Sequence, residues 1–459
     1  MKRRDFLQRA LCATASSALF SQFAGKLSIA HAAATVDHRL LGSDYRALVC
    51  IYMYGGNDAF NMLVPTSATQ YAQYQTARGA LALPLGDLLS LNPQTTPSDG
   101  SNYGLNPAMP LLRGLFNQTS SPLAIGANIG PLLYPTSKAD YQSGAVPVPA
   151  QLFSHSDQSV VWQRPNADAI TRRGWGGRLA DIFHTSNTNP TLSMNISVDG
   201  ENVFQAGDVV VPYFVGESGA QGVGNLNPQW DAARRAAFLA LRDAAQGNAL
   251  QRQYAGVMRR SMNNEAMITD ALDGENALAT PFPDTSLGRK LRMVARLINV
   301  RSPLQMQRQI FYVGIGGFDT HDNQLEDQGT QLGQLDAALA AFYAATQEMS
   351  VADKVTSFTA SEFGRTTSIN GDGTDHGWGS HHLVLGGAVN GRRIYGTLPQ
   401  LSVGGPDDAG YGQIIPTTAV DQYAATLAKW YGVAPGDMST VFPNLGRFAT
   451  PDLGFMAAS

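Results

Sequence analysis

Cysteine is nearly missing from this chain. Cys12 and Cys50 are the only two, and Cys12 lies in what reads as a cleaved leader, so the mature protein is expected to keep Cys50 alone. That excludes an intramolecular disulfide and leaves stability to a large core, which 459 residues can build. Cys50 sits inside an apolar run from Ala47 to Met53 and reads as a small buried filler rather than a nucleophile. Long apolar runs are missing too. After residue 40 nothing matches the ~18 uninterrupted apolar residues of a membrane helix, so no membrane span is expected in the mature chain. No basic tract points to a nucleic-acid partner, and the formal net charge is −4. Histidine is scarce, with eight in all, so the places where it gathers are informative.

The N-terminus predicts the compartment. Arg3-Arg4 precedes Phe6-Leu7, a small-residue apolar stretch runs from about Ala10 to Phe20, and Ala30-His31-Ala32 is a small-x-small cleavage site. That order of basic, apolar and cleavage regions reads as a twin-arginine signal over residues 1–32. Residues 33–459 are then expected to form a single domain with loop insertions, carried by the twin-arginine translocase to the periplasm or beyond.

Strand and helix signals alternate along the chain. Apolar strand candidates fall at Ala47–Tyr54, Leu123–Asn128, Leu192–Val198, Ile310–Ile315, Val355–Ala360 and Leu383–Leu385. Helical patterns fall at Trp230–Asp243, Leu250–Leu272, Leu287–Asn299, Gln331–Met349 and Thr418–Tyr431. The alternation predicts the α/β class, with a mainly parallel, doubly wound sheet. There is no fixed-period repeat and no linker that splits the chain.

Chemistry concentrates at predicted strand ends, where open α/β sheets gather ligands. Gly55-Gly56-Asn57-Asp58 follows the first strand, and its acid is either a metal ligand or the side chain of an Asx turn. Phe153-Ser154-His155-Ser156-Asp157 opens a short helical pattern. Ser154 and Asp157 have capping-box spacing. Ser154 is also a candidate nucleophile in the positive field of a helix N-terminus, with His155 as a ligand or proton shuttle. The flanks of Ser154 are no Gly-x-Ser-x-Gly elbow, which disfavours a lipase-type triad. Asp319-Thr320-His321 offers two metal ligands that point the same way if the chain is extended. Glu362 and Arg365 follow the next strand. Arg365 suits either a clamp on a tetrahedral anion or a salt bridge to Glu362. Asp375, His376, His381 and His382 come last; His381 and His382 are adjacent, so at most one of them faces a site.

These motifs, in this order, resemble an exported bacterial family, domain of unknown function fifteen-oh-one (DUF1501), of the alkaline phosphatase and sulfatase superfamily. The resemblance rests on the leader, Gly-Gly-Asn-Asp, Ser-His, Asp-Thr-His, Ser-Glu-Phe-Gly-Arg-Thr and Thr-Asp-His-Gly. It implies an alkaline-phosphatase-like central mixed, mainly parallel sheet flanked by helices on both faces. It further implies one or two divalent metal ions (zinc, manganese, magnesium or calcium) held among Asp58, Asp319, His321, Glu362, Asp375, His376 and His382, with Ser154 as the nucleophile; His155 and Arg365, read from their own chemistry, complete the expected catalytic group. Two registers compete. In one, Asp375-His376-Gly377 is the superfamily's triplet and His382 or His381 is the last ligand. In the other, Glu362-Phe363-Gly364 takes that place and His376 is the last ligand. The expected activity is hydrolysis of a phosphate or sulfate ester in the cell envelope. The alternative is a catalytically inactive, metal-stabilised binding or assembly protein.

Overall fold

The computed structural model describes residues 44–165, 173–223, 226, 231–244 and 247–458. The predicted leader and its cleavage point lie outside the described residues. Among those residues, no helix is long and apolar enough to cross a membrane.

The core is a sheet of ten strands. In chain order the strands are β1 (Arg46–Met53), β2 (Leu63–Pro65), β3 (Leu89–Ser90), β4 (Tyr103–Leu105), β5 (Leu123–Gly130), β6 (Asn195–Ser197), β7 (Tyr213–Gly216), β8 (Gly219–Ala220), β9 (Arg308–Ile315), β10 (Val355–Ser361), β11 (Ser380–Leu385), β12 (Ile394–Tyr395) and β13 (Thr418–Ala419). The main sheet runs β12-β5-β11-β10-β1-β9-β6-β7-β8, with β13 also on β5, while β2, β4 and β3 form a small separate sheet. β1 pairs in parallel with both β9 and β10, and β6 pairs in parallel with β9 and β7. β11 runs antiparallel to β10 and to β5. The sheet is therefore mixed and mainly parallel, the α/β architecture expected from the sequence.

β1 lies at the centre because its residues suit no other place. Its unbroken run Ala47–Met53 is buried on both faces, as a parallel strand covered on both sides requires. On one face, Trp175 of the helix Trp175–Phe183 and Tyr423 of the helix Val420–Tyr431 pack on Phe358, with ring centroids 5.4 and 6.2 Å apart. A second group of helices, Pro110–Phe116, Ser286–Asn299 and Gln324–Glu348, packs together and reaches the sheet through β5 and β9. It covers the opposite face, where Val49, Ile51 and Val313 are buried.

The longest disagreement in element bounds falls at the helix Gln324–Glu348, which begins seven residues before the apolar pattern that starts at Gln331. Its first turns are polar yet buried. Gln324 donates to Asp58 Oδ2 at 2.5 Å, and Gln328 donates to the Asp58 carbonyl at 2.6 Å. A helix turn that buries amides against a carboxylate carries no hydrophobic period to read. β11 likewise begins three residues before the predicted Leu383, which takes both His381 and His382 into the sheet.

Candidate metal centre

Three parallel strands deliver the site. Met53 of β1 stands level with Ile315 of β9 and Ser361 of β10, so the loops that follow them leave the same edge of the sheet. The loop after β9 carries Asp319 and His321. The loop after β10 carries Glu362, Arg365, Asp375 and His376. Gly55, two residues past β1, has a φ of 105°, and a Cβ there would stand 2.3 Å from the Asp319 backbone nitrogen. A glycine is what lets these two loops close on each other. His155 arrives from another direction, as the first residue of the helix His155–Gln163, which packs against β10.

Asp319 is the hub. Its Oδ1 lies 3.0 Å from His321 Nε2 and 3.3 Å from His376 Nε2, and its Oδ2 lies 3.4 Å from His155 Nε2. His321 Nε2 and His376 Nε2 are 3.0 Å apart. His155, Asp319 and His376 each offer one ligand atom, and these atoms lie within 4.8 Å of one another, the sole such group among the described residues. The cluster opens to solvent: the side chains of Asp319, His321 and His155 are 45%, 43% and 40% exposed.

Each imidazole meets an oxygen at its other nitrogen. His155 Nδ1 is 2.5 Å from Glu362 Oε2, His376 Nδ1 is 2.6 Å from the Phe153 carbonyl, and His321 Nδ1 is 3.4 Å from Asp375 Oδ1. A proton held on Nδ1 by such an oxygen leaves the Nε2 lone pair free, which is how outer oxygens orient metal-ligating histidines. Here the three Nε2 atoms all turn towards one carboxylate. Phe153 supplies its carbonyl from a left-handed backbone with φ 75°, an uncommon conformation for a residue other than glycine.

The electrostatics suit a cation. Burial, with the charge of Arg365 adding to it, pushes the His376 pKa below its ordinary value against the opposing hydrogen bond to Phe153. That ring is therefore neutral at neutral pH, with a lone pair to give. Partial burial works to raise the pKa of Asp319, but the hydrogen bond and charge of Arg365, helped by His155 and His321, outweigh it and hold the carboxyl below its usual range. With each ring's proton on Nδ1, the His321 and His376 Nε2 lone pairs 3.0 Å apart would repel each other unless a cation or a proton sat between them. Neutral imidazole nitrogen with a carboxylate is a donor set that suits zinc and other divalent ions, so the residues present fit such a group.

Several residues singled out from the sequence stand elsewhere. Arg365 is fully buried and neither clamps an open site nor pairs with Glu362. Its guanidinium donates to Asp319 Oδ1 at 2.9 Å, to the Thr374 carbonyl at 2.7 Å and to Thr374 Oγ1 at 3.3 Å. It holds Asp319 in place. Asp58 is not drawn into the cluster. Its buried carboxylate accepts from Arg78 and the backbone nitrogens of Phe60 and Asn61 at Oδ1 and from Gln324 at Oδ2, which ties it into the fold. It meets Asp319 only through a relay in which Gln324 accepts from Thr374 and Thr374 from Arg365. His382 is buried against Trp162 and Tyr423, and His381 accepts from the Asn128 backbone nitrogen. Burial drives both pKa values down to about 3, so both rings are neutral parts of the core. Of the two registers, the geometry puts His376 beside Asp319 and Glu362 behind His155. Ser154 is the N-cap of its helix but makes no capping bond to the backbone. Its hydroxyl donates to Asp157 Oδ2 at 2.7 Å instead.

The parts played by Phe153, Gln324 and Thr374 are not visible in the sequence. Phe153 acts through a carbonyl that every residue possesses, and no letter marks it. Glu362→Gln tests the outer oxygens. It keeps the shape but takes away the negative charge that favours the Nδ1–H tautomer of His155. Metal affinity measured by competition with a chromophoric chelator is expected to fall about 10–100-fold. An unchanged affinity would deny Glu362 that task.

The sequence profile of the family described as Protein of unknown function (DUF1501) matches residues 126–411. No curated protein matches the chain. Among solved structures, one similar chain is Ps i-CgsB in complex with k-i-k-neocarrahexaose, at 10% identity and TM-score 0.34, covering 89% of this chain and 78% of that one. Another is the PsFucS1 sulfatase from Pseudoalteromonas sp., at 10% identity and TM-score 0.32, covering 95% of this chain and 77% of that one.

Proposed function

This chain belongs to the family described as protein of unknown function (DUF1501), and with that membership as premise we propose that it is a metal-dependent hydrolase of phosphate or sulfate esters. One observation carries the reading: three imidazole Nε2 atoms turn onto the Asp319 carboxylate while their Nδ1 atoms face outer oxygens. His155, Asp319 and His376, with His321, would hold the metal. A divalent ion there supplies Lewis-acid polarisation of the ester. Glu362, Asp375 and the Phe153 carbonyl set the tautomers of the ligands, and Arg365 keeps Asp319 aimed and charged. Ser154, next in the chain to His155, is the proposed nucleophile, with its hydroxyl proton already shared with Asp157. The basic, apolar and small-residue order of residues 1–32 supports export through the twin-arginine translocase to the periplasm or beyond.

The test is turnover of aryl phosphates and aryl sulfates by purified protein loaded in turn with zinc, manganese, magnesium or calcium. Ser154→Ala is expected to lower kcat by about 1,000-fold or more while leaving metal content unchanged, since a lost nucleophile removes several kcal/mol of barrier lowering. Wild-type turnover in Ser154→Ala would remove the serine from the mechanism. A second reading is favoured by the closed state of Asp58 and Arg365, whose hydrogen-bonding groups serve the fold. It is a metal-stabilised binding or assembly protein of the envelope without turnover. Tight metal with no hydrolysis of either ester class would select it.

A further inference from the structure

The helices Ala232–Asp243 and Ala249–Asp273 pack against each other far along the chain from the Asp319 cluster. Between residues 231 and 260 the sequence places six arginines (Arg234, Arg235, Arg242, Arg252, Arg259 and Arg260) against two acids, Asp231 and Asp243. That is a surplus of four positive charges within a chain whose formal net charge is −4. The acids are accounted for: Asp231 pairs with Arg234, and Asp243 with Arg242 and Arg259. Glu265, Asp270 and Asp273 lie further on, in the C-terminal half of the longer helix, so the positive charge is confined to one end of the pair.

The same end exposes apolar side chains. Leu250 is 80% exposed, Tyr254 65% and Val257 45%. Between the helices runs an apolar groove of about 520 Å³ floored by Phe238, Ala255 and Met258. The helix Ala232–Asp243 has no buried residue at all. A helix pair that serves only as a cover for the core would turn its leucines inwards. This one buries Leu272 at its far end but leaves Leu241 and Leu250 exposed at the end that carries the arginines.

We propose that this end of the helix pair docks on an anionic lipid bilayer. Leucine and tyrosine would enter the headgroup boundary, and the arginines would meet the lipid phosphates. The pattern of a cationic polar face beside an apolar one is that of helices lying in the plane of a membrane interface, and arginine suits phosphate by its two-pronged donor geometry. The inference is independent of the chemistry at Asp319. It is also compatible with a chain that has no spanning helix among its described residues, because attachment is to one leaflet's surface.

Co-sedimentation of the full chain with vesicles tests it. Vesicles of phosphatidylcholine are compared with vesicles in which about a third of the lipid is phosphatidylglycerol. Partition into the anionic vesicles is expected to be about ten-fold or more stronger, and to weaken when salt shortens the screening length. Arg259→Gln with Arg260→Gln should cut the preference for anionic vesicles several-fold. Leu250→Ser with Tyr254→Ser should weaken partition into both kinds. Each variant is checked for a wild-type melting profile, which exposed substitutions normally leave intact. Equal partition into neutral and anionic vesicles, no partition into either, or unchanged partition in the folded variants overturns the proposal. So does a self-association in analytical ultracentrifugation that Leu250→Ser abolishes, which would assign the face to a second copy of the chain.

Discussion

Asp319→Asn is expected to strip the protein of metal and to lower ester hydrolysis by about 1,000-fold or more. Asparagine keeps the shape of the side chain, and its amide oxygen still accepts from Arg365, so the buried guanidinium keeps its partner. What is lost is the one negative charge at which three imidazoles converge. With neutral ligands alone around a doubly charged ion, metal affinity should fall by more than about 100-fold, beyond the range typical of losing an outer oxygen. Two readouts check this. Elemental analysis should find metal in the wild type and little in the variant. The melting temperature of the wild type should rise with added metal, by the equivalent of about 2.7 kcal/mol when free metal is 100 times its dissociation constant, and that of Asp319→Asn should not. Acidification should act in the same direction, because protons compete for the imidazole nitrogens. A variant that binds and turns over like the wild type would end the case for this centre. Asp319→Ala is the poorer test, since it also leaves Arg365 buried beside an empty space.

Arg78→Met should destabilise the fold by about 3–5 kcal/mol, the range seen when one partner of a buried ion pair is removed. Arg78 and Asp58 are both buried, with side chains 1% and 0% exposed, and their atoms approach to 2.5 Å. Arg78 also donates to the Thr366 carbonyl at 2.9 Å and stacks over Phe60. It ties the loop after β1 to the segment after β10. Methionine fills much of the space but leaves the Asp58 carboxylate charged in a place water does not reach. Adding Asp58→Asn to Arg78→Met removes that stranded charge, and the double variant should recover a large part of the loss. Urea unfolding followed by circular dichroism measures both. A cost below about 1 kcal/mol for the single variant would show that Asp58 is held without its arginine and would overturn this expectation.

The sequence and the structure part company at particular residues. The strand ends and their acids and histidines were legible because apolar runs such as Ala47–Met53 and Ile310–Ile315 stand out against polar loops. Asp319, His321, Glu362, Asp375 and His376 are found together at the edge those runs predict. His155 was visible as a rare histidine, but nothing local said that it would meet Asp319. Asp58 and Arg365 carried plausible ligand and clamp letters and turned out to be occupied, one by Arg78 and Gln324, the other by Asp319 and Thr374. Occupancy of a lone pair is a property of neighbours far along the chain. His381 and His382 looked like part of the histidine cluster, yet β11 begins early enough to bury both.

By itself the sequence determined the α/β class, the order of the parallel strands' apolar runs, the scarcity of cysteine and the set of residues from which a metal site is drawn. Those follow from local period and composition, which each segment carries with it. Only the tertiary structure decided which members of that set meet, which nitrogen of each imidazole faces inwards, and which charges are already paired. Two loops from two parallel strands and one distant helix start bring these side chains within a few ångströms of one another. The selection among chemically equivalent side chains is made by that packing, which no window of sequence contains.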